Sequence, residues 1–225
     1  MPVQIPIKNN HGGFTLVELL VVLAIIGALA ALLFPVLGRM RDSADTAKCT
    51  SNLRQIGIAH NLYTAEHDTL PGPLYLGQSA GYSQYTDLGS LACFLAPHLG
   101  LTSATQQYQC ADVFVCPAWK RKASPALRAA TNPGPTYCRF WDAEAAAKIS
   151  ADPWGRKGYN LPKKLSVMDN PARTLMLVDI DRELPAASGA GWFASLPPSP
   201  VHGHNRNALY LDGHTQSLPS VTERP

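Results

Sequence analysis

The residue types best suited to chemistry gather near the C-terminus, where His202, His204, Asp212 and His214 lie within thirteen positions. Imidazoles and a carboxylate are suitable metal ligands, so one reading of this stretch is a metal or hydrolytic site. Three features argue against it. His202 and His204 share a glycine-containing segment, the Asp212-Gly213 pair is accounted for by a tight turn, and no separate general base or activated nucleophile accompanies them. Asp212 bonding its own local backbone, with Gly213 supplying a positive φ, makes a hairpin of Asn207–Leu211 and His214–Leu218. The expectation is therefore architectural: no catalytic residue, no metal and no cofactor. His202 lies ahead of the first strand and hydrogen-bonds the turn or a neighbouring loop.

A second acidic pair, Asp179 and Asp181, follows the apolar run Leu175–Val178. Two carboxylates two apart suit a cation, but the end of a buried strand reaching solvent explains them as well. Cysteines stand at 49, 93, 110, 116 and 138. Outside the cytoplasm five cysteines allow up to two disulfides and one spare thiol, with connectivity open. Five residues separate Cys110 from Cys116. That interval does not match close-set zinc ligand pairs, so staples or buried thiols are expected. The basic groups Lys120–Lys122 and Arg156, Lys157, Lys163 and Lys164 read as solvated faces, because the net charge is only +3 and no nucleic-acid pattern accompanies them. Trp119, Trp141, Trp154 and Trp192 read as core or loop anchors.

One carboxylate is placed where it is expensive. Glu18 heads the run Phe14–Leu37, 24 residues otherwise free of charge. About 20 apolar residues cross a bilayer as a helix, and an ionised group in that layer needs snorkelling or a cationic partner. No basic side chain lies within one turn of Glu18. An α-amine would serve if the chain were cut after Gly13, above all the amine of a neighbouring copy. Two plainer readings compete: a signal peptide cut after Ala30, against which the apolar run continues to Phe34, and a simple signal anchor. Basic residues after the span (Arg39, Arg41, Lys48) outnumber the single Lys8 before it, so charge bias does not place the N-terminus inside.

The elements that position these residues follow from periodicity. Beyond Pro35, which would kink a helix, Leu37, Met40, Ala44, Ala47, Leu53, Ile56 and Tyr63 recur every three or four residues. This predicts an amphipathic helix with one face on a globular domain, ending near Pro71-Gly-Pro73. Nineteen prolines and seventeen glycines mark the remainder as loop-rich.

Gly-Phe-Thr-Leu-Val-Glu at 13–18, with the apolar helix behind it, resembles the N-terminus of type IV pilins and type II secretion pseudopilins. The resemblance implies cleavage by a prepilin peptidase between Gly13 and Phe14 and methylation of the new Phe14 amine. It also implies pairing of Glu18 with an adjacent subunit's amine in the filament. The helix from Cys49 to Tyr63 and the pattern His202, nine residues, Asp212-Gly213 are similar to a pilin-like group carrying a C-terminal H-x9-DG signature, in which His202, Asp212 and Gly213 are the structural marks. Val115-Cys116-Pro117 also fits that group.

The chain therefore reads as α+β and pilin-like, with a long N-terminal helix packed on an antiparallel β-sheet with loop-rich insertions. Its parts are a leader at 1–13, a transmembrane and polymerisation half-helix at 14–38, an amphipathic half-helix at 39–70 and a loop-rich β domain at 71–225 with the hairpin at 202–218. The expected function is a non-enzymatic filament subunit of a type IV pilus-like or type II secretion assembly. Its expected partners are prepilin peptidase, other copies or related subunits, an inner-membrane assembly platform and membrane lipid, without nucleic acid. The expected location is the bacterial inner membrane, single-pass with an extracytoplasmic C-terminal domain, and then a periplasmic or cell-surface filament. The alternative is a membrane-anchored extracytoplasmic binding module or adhesin outside the main filament; a tethered hydrolase is the remaining reading.

Overall fold

Apolar residues without an interior break in charge pattern, followed by an amphipathic stretch, produce one helix, α1, Leu16–His67. The computed structural model describes residues 15–84, 89–123, 134–139, 152–155 and 161–220, with the backbone alone at residue 35. Gly13, Phe14, Trp141, Arg156, Lys157 and the side chain of Pro35 lie outside the described residues. Two units are distinguished, residues 1–41 and 42–225.

In the first unit the side chains of α1 are almost all exposed, from Leu16 at 78% to Phe34 at 72%. By length and composition this helix is long and apolar enough to cross a membrane.

In the second unit the burial of α1 begins at Cys49 and continues through Asn52, Leu53, Ile56, Ala59 and His60 at helical spacing. The apolar stripe expected from Leu37 is thus buried over only its latter part: Leu37, Met40, Ala44 and Ala47 stay exposed. A five-stranded antiparallel sheet supplies the opposing surface. Its strands are β1 (Gly77–Ser79), β4 (Pro135–Arg139), β5 (Leu175–Asp179), β6 (Asn205–Tyr210) and β7 (Thr215–Pro219), in the spatial order β1-β4-β5-β6-β7. Between β1 and β4 the chain runs through β2 (Gly81–Tyr82), α2 (Leu91–Leu95), β3 (Gln109–Cys110) and α3 (Pro117–Lys122), with β2 and β3 forming a separate pair.

The register aligns the core. Cys138 faces Val178, Leu177 faces Leu209, and Tyr137 lies opposite Asp179. Tyr137, Met176, Leu177, Ala208 and Leu209 join Leu53, Ile56, Trp119 and Trp154 in one buried cluster. The α+β expectation holds: a long helix lies with an antiparallel sheet and many short loop elements. Helix and sheet come close at Gly57, where an added Cβ would come within 2.9 Å of Leu209 Cδ1 and 3.1 Å of the Gly213 carbonyl. Glycine there lets the β6–β7 turn rest on the helix.

Candidate functional site

At the head of α1, Glu18 and Thr15 form a reciprocal cap. The Thr15 backbone N–H and hydroxyl both donate to Glu18 Oε2 at 2.8 Å, and the Glu18 N–H donates to Thr15 Oγ1 at 3.2 Å. This Thr-x-x-Glu arrangement is a capping box, which satisfies amides left open at a helix start. Its sequence signal is Thr15 three residues ahead of Glu18 and the apolar run. Both donations to the carboxylate end on Oε2, and a carboxylate offers about four lone-pair sites.

At the other end of the chain, the residues from His202 to His214 divide into separate groups. β6 and β7 pair antiparallel through residues 211–214, with Leu209 opposite Thr215. Asp212 Oδ1 accepts the His214 N–H at 3.0 Å and lies 2.6 Å from His214 Nδ1, while Gly213 takes φ +92°. Asn61 of α1 donates to the Asp212 carbonyl at 3.5 Å. The turn and its helix contact account for Asp212, Gly213 and His214. His204 contributes its carbonyl to Ser220 N. The four residues considered as a metal set are therefore not brought to one point.

His202 instead turns away from that hairpin turn into a buried polar cluster with Cys49, Cys116 and Asp179. Its Nε2 is 3.2 Å from Cys116 Sγ and 3.5 Å from Asp179 Oδ2, and its Nδ1 is 2.9 Å from Thr46 Oγ1. Cys49 Sγ is 3.5 Å from Asp179 Oδ1 and 3.5 Å from Tyr137 Oη. Asp179 Oδ2 accepts the Asn207 N–H at 2.7 Å. α1 supplies Cys49, the loop leading into α3 supplies Cys116, the end of β5 supplies Asp179, and the turn before β6 supplies His202.

The electrostatics are those of charges taken out of water. Hydrogen bonding to Cys49, reinforced by His202 and the Trp119 amide, outweighs burial and pulls the Cys116 thiol down to about 5. Cys49 moves the other way, raised by its bond to Cys116, by burial and by the Asp179 charge. Burial, with the Cys116 charge, raises Asp179 to about 7 against the pull of His202. For His202, burial opposes the cation but the hydrogen bond to Cys116 and the charges of Asp179 and Cys116 prevail, so its pKa rises. A thiolate beside an imidazole is the chemistry of a cysteine nucleophile. Here both sulfurs are fully buried, which closes the cluster to a substrate.

Comparison with known proteins addresses the other end of the chain. The model of the prokaryotic N-terminal methylation motif matches residues 8–34. The competence protein ComGC of Halalkalibacterium halodurans is 29% identical over 79 residues, 35% of this chain and 78% of that protein. The type II secretion system core protein G of Aeromonas hydrophila is 34% identical over 64 residues, 28% of this chain and 45% of that protein. The chain is type IV pilin-like. It spans less than half the length of the secretion proteins it matches, and no solved structure matches it.

Within the pilin-like chain, the structure corrects the reading of the acidic pair at the end of β5. Asp179 and Asp181 are not a solvated strand end: Asp179 enters the cluster, and Asp181 takes a two-pronged contact from Arg206 at 2.7 and 2.8 Å, with both partners buried. All five cysteines are unbridged; of the expected staples or buried thiols, the buried thiol holds for Cys49, Cys116 and Cys138, and Cys49 and Cys116 meet inside the cluster. Trp119 and Trp154 are core residues as expected. Arg121 of the basic group on α3 pairs with Asp42 and Asp45 of α1 at 2.6 and 2.8 Å, and Lys164 pairs with Asp68.

Proposed function

We propose that the chain is a non-enzymatic filament subunit, held in the membrane by the first half of α1 and released into a polymer after cleavage between Gly13 and Phe14. Prepilin peptidase makes the cut and methylates the Phe14 amine. The domain beyond residue 41 lies on the extracytoplasmic side. An inner-membrane platform then drives assembly with other copies or related subunits into a pilus-like or secretion-type filament.

The observation that carries this reading is the methylation motif joined to an apolar helical surface exposed on every side from Leu16 to Phe34. Such a surface is stable in lipid or among other helices, and not in water. Packing it into a filament replaces lipid by neighbouring apolar helices. Glu18 sets the register in this scheme, because its Oε1 remains for a neighbouring amine while Oε2 holds Thr15. Buried ion pairs specify geometry more dependably than they add stability. The names of the matched relatives, a competence protein and a secretion-system core protein, agree with a role in such an assembly.

Mass spectrometry of the mature N-terminus tests the processing step: a chain beginning at methylated Phe14 is the expected product, and one beginning at Met1 or Ala31 refutes it. Glu18→Gln tests the pairing, since glutamine serves in the capping box as well as glutamate does but carries no charge. Normal cleavage with loss of filaments is expected. If Glu18→Gln assembles normally while Glu18→Ala does not, the residue acts only as a helix cap.

A further inference from the structure

We propose that Cys49, Cys116, Asp179 and His202 form a closed, structural zinc site that ties α1 to the sheet. The proposal does not depend on polymerisation.

The geometry is the first reason. One ligand atom from each of the four residues lies within 4.8 Å of the others; among the close approaches are 3.2 Å for His202 Nε2 to Cys116 Sγ, 3.5 Å for Nε2 to Asp179 Oδ2 and 3.5 Å for Cys49 Sγ to the other carboxylate oxygen, Oδ1. A tetrahedral zinc with bonds of about 2.0–2.3 Å places its ligands roughly 3.3–3.8 Å apart. The cluster needs little adjustment to enclose one ion.

The surroundings are the second. Thr46 Oγ1 donates to the Asp42 carbonyl at 2.9 Å, so it receives the proton of His202 Nδ1. Neutral imidazole then presents the Nε2 lone pair to the two sulfurs and the carboxylate. Asp179 is oriented by the Asn207 amide and Cys49 by the Tyr137 hydroxyl. Ligands held by outer hydrogen bonds in this way are characteristic of metal centres. Thiolate and imidazole together favour zinc over the hard cations, and four protein ligands leave no open position for catalysis.

Charge is the third. Asp179 is buried 3.5 Å from His202, and the cluster holds two further thiols that can ionise. Zinc balances two thiolates and leaves the set with a single negative charge shared with the carboxylate, whereas a Cys49–Cys116 disulfide would engage two of the four donors. Because the ligands come from α1, the loop before α3, β5 and the turn before β6, metal binding is coupled to closing the domain.

The full-length chain, extracted in detergent with reductant present, is the sample. Metal analysis should find one zinc per chain, and replacement by cobalt should give the visible bands of a tetrahedral ion with thiolate charge transfer. Cys116→Ser and His202→Ala should lower bound zinc more than about tenfold, while Cys93→Ser and Cys110→Ser retain one equivalent. Thr46→Val, which touches no metal, should weaken zinc roughly 10- to 100-fold, the usual effect of removing an outer partner. If the ligand variants fail to fold, the wild-type zinc content and cobalt spectrum still decide. Substoichiometric zinc after reconstitution overturns the site. So does a Cys49–Cys116 linkage, found in chain extracted without reductant and with free thiols blocked, that resists chelator and yields to dithiothreitol.

Discussion

Residues 16–40 and 49–64 of α1 share one backbone conformation and differ in what their side chains meet. The first stretch is apolar on all sides and exposed, as Leu20 and Phe34 are. The second is apolar on one side, and Leu53 and Ile56 are fully buried against the sheet. Both belong to one continuous helix, so secondary structure does not distinguish them. What distinguishes them is where the partner comes from. The second stretch finds it within its own chain, and the first requires lipid or other helices. A carboxylate marks each: Glu18 is bonded by Thr15, its one partner among the described residues, whereas Asp179, facing the second stretch, is enclosed by Cys49, Asn207 and His202.

Five measurements sharpen this contrast, read as denaturant unfolding of the detergent-held chain through its buried tryptophans. The largest effect belongs to Asp181→Ala, which leaves the Arg206 guanidinium buried without its two-pronged partner and should cost about 3–5 kcal/mol. Leu53→Ala removes a side chain from the helix–sheet core and should cost about 3 kcal/mol; a loss below about 1 kcal/mol would show that the second stretch is not integral to the domain.

Acidification comes next. His60 is buried against Trp154, and burial depresses its pKa from 6.5 to about 4. Its neutral form is therefore the stable one. The stability it contributes is complete above pH 6.5, falls as the pH drops towards 4, and loses no more below that. The gap corresponds to about 3 kcal/mol at most, and the difference between wild type and His60→Leu isolates it from the other titrating groups. Gly57→Ala should cost about 1–2 kcal/mol, since the crowding against Leu209 and the Gly213 backbone exceeds the gain in helix propensity. The smallest effect is expected from Leu20→Ala: within about 0.5 kcal/mol for the domain, with any defect appearing in membrane retention or assembly. Equal destabilisation by Leu20→Ala and Leu53→Ala would abolish the contrast altogether.

Much of this was legible without coordinates. The spacing of Gly13, Thr15 and Glu18 and the uninterrupted apolar run identify the N-terminal half, because both are local patterns on one continuous helix. The Asp212-Gly213 pair marks its turn for the same reason: two adjacent residues suffice to set it. His202 stands out in the sequence, and of its two expected partners, the turn or a neighbouring loop, the structure gives the loop residue Cys116, together with Asp179; Asp181, expected at a solvated strand end, is paired with Arg206. In the sequence Val115-Cys116-Pro117 carries only a family resemblance, with no sign that Cys116 meets His202.

By itself, then, the sequence determined where the chain enters an apolar medium, where α1 forms and where the last hairpin turns, since hydrophobic length, helical period and turn chemistry act between near neighbours. Only the tertiary structure decided which cysteine meets which histidine, which aspartates are buried and how closely Gly57 admits the turn. Those contacts join residues far apart in the chain. Their chemistry depends on distances of 3–4 Å and on exclusion of water, neither of which a linear pattern encodes.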